Sequence, residues 1–102
     1  MYKNYRAYIR AVLRDYPRLA KTGRLTKVEK KQRDAVAKTI SETRPTPDGP
    51  VKIRLVTLIY FEEHCTIEGA AQKCYISRRT AERWQAQFVR SVAVKLGLED
   101  KA

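Results

Sequence analysis

Apolar side chains recur along this chain at intervals of three and four residues, the spacing that places them on one face of an α-helix. The pattern predicts a first helix over residues 2–16, which ends because Pro17 pushes the residue before it out of the α region. Thr26 and Glu29 have the spacing of a capping box, so a second helix is expected over residues 27–43. No segment has the strict alternation of a β-strand. The pattern therefore predicts an all-α protein of four to five helices.

A proline-rich stretch over residues 44–50 interrupts the helical pattern, because proline cannot continue a helix. Pro50 itself suits the first turn of a third helix, where its missing N–H is not needed. That helix is expected over residues 50–64; it is the most apolar segment and the expected centre of the core. The break divides the chain into a basic N-terminal segment of two helices, residues 1–49, and a C-terminal segment, residues 50–102. The two are expected to form one compact unit.

The C-terminal segment ends with a predicted pair of helices joined by a tight turn. Thr66 and Ser77 stand where N-caps are expected, because their hydroxyls can accept the free N–H groups of a first turn. These caps predict a short helix over residues 67–74 and a longer helix over residues 77–96. Two such helices, the second with a basic first turn, predict a helix-turn-helix of the kind that binds DNA. The alternative is a helical hairpin that only packs.

The leading end of the longer helix carries the side chains best suited to recognise base pairs. Arginine can donate two hydrogen bonds to guanine O6 and N7, and glutamate can accept one from the cytosine amino group. The residues expected to contact base edges are Arg78, Arg79, Glu82, Arg83 and Gln87. The residues expected to contact the DNA backbone are Thr66, Lys73, Tyr75, Ser77, Thr80 and Arg90.

Charge strengthens the interpretation as a DNA-binding protein. The 102 residues contain 22 Lys and Arg against 11 Asp and Glu, a net charge of +11, and such a surface favours polyanions. The charge is uneven, because residues 1–49 carry +8 and residues 50–102 carry +3. The N-terminal segment is therefore expected to contact phosphates or an acidic protein partner, unless it is simply a solvated face. Tyr2, Tyr5 and Tyr16 of this segment recur at helical spacing and are expected in the core, with base stacking as the alternative.

Other classes of function find little support in the sequence. The chain has one histidine, no glycine-rich phosphate loop and no nucleophile beside a plausible base, so no enzyme is predicted. His64, Cys65 and Cys74 lack the paired close spacing and the fourth ligand of a zinc site, and reduced thiols are expected instead. No apolar run reaches the about 20 residues of a membrane span, and no signal peptide is recognised. Neither a metal, a cofactor nor a membrane is therefore expected as a partner.

Residues 53–98, and above all the stretch TIEGAAQKCYISRRTAERW, resemble the C-terminal DNA-binding region (region four) of bacterial sigma factors. Within that superfamily the chain is most similar to phage-encoded sigma-like regulators of the RinA and ArpU type. Those proteins join a basic helical N-terminal segment to a sigma-like helix-turn-helix and activate late phage genes. The stretch SRRTAERW resembles the start of a region-four recognition helix. Ala81 and Trp84 depart from the pattern, since a larger aliphatic residue and Leu or Ile are usual there.

The resemblance implies a sequence-specific transcriptional regulator that binds double-stranded DNA in the cytoplasm of a bacterial host cell. Carried over by position, it makes Arg78, Arg79, Glu82 and Arg83 the base readers and Thr66 a backbone contact. The sigma regions that melt a promoter are absent from the sequence, so the chain is not expected to replace a sigma factor. Bacterial RNA polymerase and a second copy of the chain remain open as protein partners.

Two other functions remain open at this point. One is an adaptor that binds RNA polymerase or another phage protein, with weak contact to DNA. Two features support the adaptor: the basic N-terminal segment and the apolar residues near the C-terminus, Val89, Val94 and Leu98. These three residues either cover the N-terminal tyrosines or form a dimer seam. The other is the DNA-recognition domain of a phage terminase small subunit, a class that also uses helix-turn-helix domains.

Overall fold

Five α-helices and no strands are found in the computed structural model, which describes residues 5–99. The expected all-α class is confirmed. The third helix continues into a five-residue π-helical turn, Thr57–Phe61. The helices are α1 (Tyr5–Lys21), α2 (Lys27–Thr43), α3 (Gly49–Val56), α4 (Ile67–Lys73) and α5 (Arg78–Lys95).

The first helix does not end at Pro17, as its sequence predicts, but continues to Lys21. A proline inside a helix removes one hydrogen bond and costs about 3 kcal/mol. Leu19 lies beyond the proline and is fully buried, which contributes about 1.5–3 kcal/mol. Arg18 adds an ion pair with Glu29 of α2 at 2.8 Å, so tertiary contacts keep the last turn helical. The predicted start of this helix at residue 2 lies outside the described residues.

The second helix has the predicted bounds, and its capping box is present. The Thr26 hydroxyl accepts a hydrogen bond from the Glu29 N–H at 3.1 Å. In return a Glu29 carboxylate oxygen accepts one from the Thr26 N–H at 3.0 Å. Ala35 and Val36 face the core, as does Thr39, whose hydroxyl donates to the Ala35 carbonyl at 2.8 Å. The narrow buried stripe leaves most of α2 in solvent.

The predicted break between the second and third helices is confirmed, and Gly49 decides its geometry. Gly49 is the first residue of α3, with Pro50 directly after it. A β-carbon at Gly49 would lie 2.3 Å from the carbonyl oxygens of both Thr43 and Arg44. Because no side chain fits there, glycine allows the chain to turn back tightly against the end of α2.

The third helix ends earlier than predicted, at Phe61 rather than near His64. Its last turn is π-helical, with the Glu62 N–H bonded to the Thr57 carbonyl at 2.9 Å. A π turn holds more residues than an α turn, so consecutive side chains spread over a smaller arc and can share one buried side. Leu58, Ile59 and Tyr60 are all buried in this way. His64 lies beyond the helix with a φ of 51°.

The last helix, α5, packs against each of the other four helices. Its buried side includes Phe88, Val89 and Val92, and Val89 is only 3% exposed. Leu98 also packs against the core, so these two late apolar residues cover the interior of the chain. A buried hydrogen bond of 2.6 Å from Gln85 to the Tyr60 hydroxyl fixes α5 against the π turn. Residues from both sides of the proline-rich break contribute to this core.

Replacing Gly49 by alanine should destabilise the protein markedly. The new methyl group would press on two backbone carbonyls, and overpacking of this kind costs about 1–3 kcal/mol. Gly23→Ala is the matched control, because a β-carbon there meets nothing within 4 Å. That control should be neutral or stabilise by about 0.4–1 kcal/mol. Urea unfolding followed by circular dichroism measures both; equal effects would contradict the close approach at Gly49.

Candidate nucleic-acid interface

Both caps predicted for the C-terminal pair of helices, α4 and α5, are present. The Thr66 hydroxyl accepts a hydrogen bond from the Gly69 N–H at 3.0 Å. The Ser77 hydroxyl accepts one from the Thr80 N–H at 3.1 Å and lies 2.9 Å from the Thr80 hydroxyl. These bonds fix where each helix begins, because they satisfy backbone donors that have no partner inside the helix.

The turn between α4 and α5 has a tyrosine in a backbone conformation that favours glycine. Tyr75 has a φ of 59°, and its side chain is 95% exposed. The Ile76 N–H bonds to the Ala71 carbonyl at 3.1 Å and the Tyr75 N–H to the Gln72 carbonyl at 3.2 Å. This is the Schellman arrangement, which usually has glycine at the left-handed position. The Tyr75 ring therefore projects into solvent from a strained residue.

Seven exposed side chains form one face of α5, called the outer face below. The opposite face is buried, so the outer face is held at a fixed orientation to the core. All five residues expected to contact base edges lie on this face. It consists of Arg78, Arg79, Glu82, Arg83, Ala86, Gln87 and Arg90.

Two of the predicted base-reading side chains are bonded to each other. The Arg78 guanidinium donates to a Glu82 carboxylate oxygen at 3.0 Å, one turn along the helix. The two side chains are 66% and 51% exposed, and such surface pairs contribute at most about 1 kcal/mol. The pair holds both groups in place but is weak enough to exchange for bonds to a ligand.

The residues expected to contact the DNA backbone are spread more widely. Tyr75, Ser77 and Thr80 lie together at the start of α5, whereas Thr66 lies at the far end of α4. Arg90 lies 12 residues along α5 from Arg78, about 18 Å at the rise of an α-helix. Lys73, the last residue of α4, lies two residues before Tyr75. The structure therefore places four of the six around the turn between α4 and α5 and separates Thr66 and Arg90 from them.

Two cations among these backbone-contact residues already have carboxylate partners. Lys73 bonds to Glu63, and this hydrogen bond raises the pKa of the Lys73 ammonium. Arg90 bonds to Glu99 at 3.1 Å. Glu99 in turn accepts a hydrogen bond from the Tyr5 hydroxyl, whose pKa this bond raises. A phosphate that approached either cation would compete with its carboxylate partner.

The two cysteines, Cys65 and Cys74, belong to no metal-binding cluster among the described residues. Cys65 is half-buried and Cys74 buried, and both are free thiols. Burial raises the pKa of the Cys74 thiol, while nearby Arg54 opposes that rise. Within residues 5–99 no group of three or more His, Cys, Asp or Glu side chains is close enough to bind a metal ion.

Two lysines lie near the outer face: Lys38 belongs to the basic N-terminal segment, for which phosphate contacts were one expectation, whereas Lys52 was not anticipated from the sequence. The Lys52 ammonium of α3 lies 5.4 Å from the centroid of the Trp84 ring. Lys52, Trp84 and Gln87 line one shallow groove, and Lys38 of α2 lines its continuation beside Gln87 and Arg90. Nothing in the sequence indicated the contact between Lys52 and Trp84. Only the packing of three helices brings the lysines to this edge.

Comparison with known proteins finds no matching family model, no matching curated protein and no matching solved structure. None of the helices in the described part of the chain is both long and apolar enough to cross a bilayer. The chain is therefore characterised by its own fold and surface: a five-helix protein with an exposed basic face on its last long helix.

Tyr75→Gly should raise the stability of the protein. A left-handed conformation costs a non-glycine residue about 1–2 kcal/mol, and glycine removes that cost while the exposed ring contributes little. Tyr75→Ala is the control, because it removes the ring but keeps the strained β-carbon, and it should leave stability nearly unchanged. Thermal unfolding distinguishes the two variants. If both were equally destabilised, the ring would have a role in the fold.

Proposed function

We propose that this protein is a sequence-specific regulator of transcription that binds double-stranded DNA through α4 and α5 as a helix-turn-helix. The observation that carries the proposal is the outer face of α5, where arginines and polar side chains are exposed together while the opposite face is buried. In this arrangement α5 is the recognition helix and its leading turns face the bases. The Ser77 cap sets the start of that helix.

The dimensions of α5 suit the major groove. An α-helix with its side chains is about 10–12 Å across, and the major groove of B-DNA is about 12 Å wide. Arg79 and Arg83 lie one turn apart on the outer face, and both are exposed. Each can donate two hydrogen bonds to a guanine, whereas Glu82 can accept one from a cytosine. Recognition helices contact bases with residues in their leading part, which is where these three residues lie.

Electrostatics supplies the sequence-independent part of the affinity. The net charge of +11 favours polyanions, and basic residues are exposed on the N-terminal helices as well as on α5. On α1, Arg6, Arg10 and Arg14 follow one another at single-turn spacing and are exposed. Cations that neutralise phosphates release counterions from DNA, so the affinity should fall steeply with salt.

The particular regulator we propose is sigma-like and encoded by a phage or prophage, in the cytoplasm of a bacterial host, where it activates late genes. The support is the stretch from Thr66 to Trp84, which resembles sigma region four. The caps at Thr66 and Ser77 support the proposal, because they begin the two helices of that stretch. In this proposal Thr66, Lys73, Tyr75, Ser77, Thr80 and Arg90 contact the DNA backbone.

An adaptor that binds RNA polymerase or another phage protein is a second candidate, and one observation favours it. Tyr8 of α1 and Val28 of α2 are 45% and 59% exposed. The Tyr8 hydroxyl accepts a hydrogen bond from Gln32 at 2.7 Å, and Gln32 lies one turn after Val28. Tyr8 and Val28 therefore share one side of the α1–α2 pair, where a protein partner could bury both side chains.

Selection of bound duplexes from a random pool at physiological salt tests the proposed function directly. We expect a recurring sequence motif, because the outer face presents side chains that discriminate between bases. The same selection with Arg79→Ala and Arg83→Ala combined should return a weaker motif. Recovery of binding without any motif would favour the adaptor, in which contact with DNA is incidental.

Arg83→Ala or Arg79→Ala should cost about 1–3 kcal/mol of binding free energy on the selected site and relax specificity at one base position. Lys30→Ala, which removes an exposed charge from α2, is the control and should weaken binding evenly on all sequences. Fluorescence anisotropy with the selected duplex and single-base variants measures both. If the arginine variants lost affinity equally on all duplexes, their role in base reading would be contradicted.

A further inference from the structure

Trp84 supports a lysine at the border of the outer face. Its half-buried ring lies under the Lys52 ammonium, 5.4 Å from ring centroid to nitrogen. A cation over an aromatic face is stabilised by about 0.5–1 kcal/mol at an exposed site. The contact restricts a flexible side chain and directs its charge toward the groove that Gln87 also lines. The ring thus places a positive charge beside a residue of the outer face.

A second lysine lies along the same edge. Lys38 of α2 is exposed and lines the continuation of that groove together with Gln87 and Arg90. Within residues 5–99 Lys38 has no ion pair. Glu42 also lines the groove, but its carboxylate bonds to Lys95 at 2.8 Å. The edge that α2 and α3 form beside α5 is therefore positively charged.

The size of the major groove determines what this edge can reach. A groove about 12 Å wide admits one helix, and helices that pack on each other have axes about 8–10 Å apart. When α5 occupies the groove, α2 and α3 cannot enter it. Their side chains beside the outer face must lie over the groove wall, which is a strand of phosphates.

We propose that Lys52 and Lys38 form a phosphate-binding edge that contacts one backbone strand of the duplex beside the groove occupied by α5, with Trp84 as the positioning residue for Lys52. This inference rests on the proposed function and extends it to two helices outside the C-terminal pair. An aliphatic side chain in place of Trp84 would fill the same space without holding an ammonium over its face.

The test compares Lys52→Ala and Lys38→Ala with Lys21→Ala, which removes an exposed lysine from the last turn of α1. Affinity for the selected duplex and for an unrelated duplex is measured across a series of salt concentrations. Removal of one lysine–phosphate interaction should reduce the slope of log affinity against log salt by about 0.9. We expect that reduction for Lys52→Ala and Lys38→Ala, with affinity reduced equally on both duplexes, and a smaller change for Lys21→Ala. Slopes equal to that of Lys21→Ala would overturn the phosphate-binding edge.

The positioning role of Trp84 has its own readout. Trp84→Leu should weaken binding without changing the salt slope, because Lys52 still reaches the phosphate but is less ordered before binding. Lys52→Ala should then reduce the DNA-binding free energy by less in the Trp84→Leu background than in the wild type. In the Trp84→Phe background Lys52→Ala should still cost nearly as much as in the wild type, because an aromatic ring remains under Lys52. Circular dichroism checks that each variant is folded. Additive effects of the two changes would overturn the positioning role, and Lys52→Ala alone still tests the phosphate interaction.

Failure of this inference can be told apart from failure of the proposed function. If the wild type bound no duplex at all, both would be overturned. If the wild type bound a motif and Arg83→Ala relaxed it, while Lys52→Ala and Lys38→Ala matched the control, only the phosphate-binding edge would be overturned.

Discussion

The packing of α5 is the constraint on which the rest of the structure depends. One side of this helix contacts all four other helices, with Phe88 and Val92 in the core and Gln85 bonded to Tyr60. Because that side is fully engaged, the outer face has a single orientation relative to the protein. Side chains on a rigid element can be held more precisely than side chains on a loop. The proposed recognition helix, α5, is therefore also the helix against which the rest of the fold packs.

Carboxylates hold several of the proposed DNA-binding cations in the free protein. Glu82 bonds to Arg78, Glu63 to Lys73 and Glu99 to Arg90. Surface pairs of this kind contribute little to stability, so exchanging a carboxylate for a phosphate costs little. The pairs also limit how far each cation moves before binding, which reduces the entropy lost on association. Under the proposed function, the acidic residues near α5 hold these cations in place before a polyanion binds.

Two helices of this protein end in the same arrangement with different residues at its centre. The end of α5 has Gly97 at a φ of 76°, with the Leu98 N–H bonded to the Ala93 carbonyl. The end of α4 has Tyr75 at a φ of 59° in the equivalent position. The Tyr75 ring is almost fully exposed, and glycine at this position would relieve the strain. The difference supports a contact outside the chain for Tyr75, next to the recognition helix of the proposed function.

The features that the sequence determined by itself are those that act within a few residues. The caps at Thr66 and Ser77, the capping box of α2 and the break before Gly49 all depend on bonds or sterics over about four residues, so their residue types were sufficient to predict them. The outer face of α5 followed from helical periodicity in the same way. By contrast, tertiary burial of Leu19 keeps α1 helical beyond Pro17, and the third helix ends in a π turn at Phe61 and not near His64. The edge that joins Lys38 and Lys52 to α5 exists only because three separate helices pack together, and no local pattern could specify that.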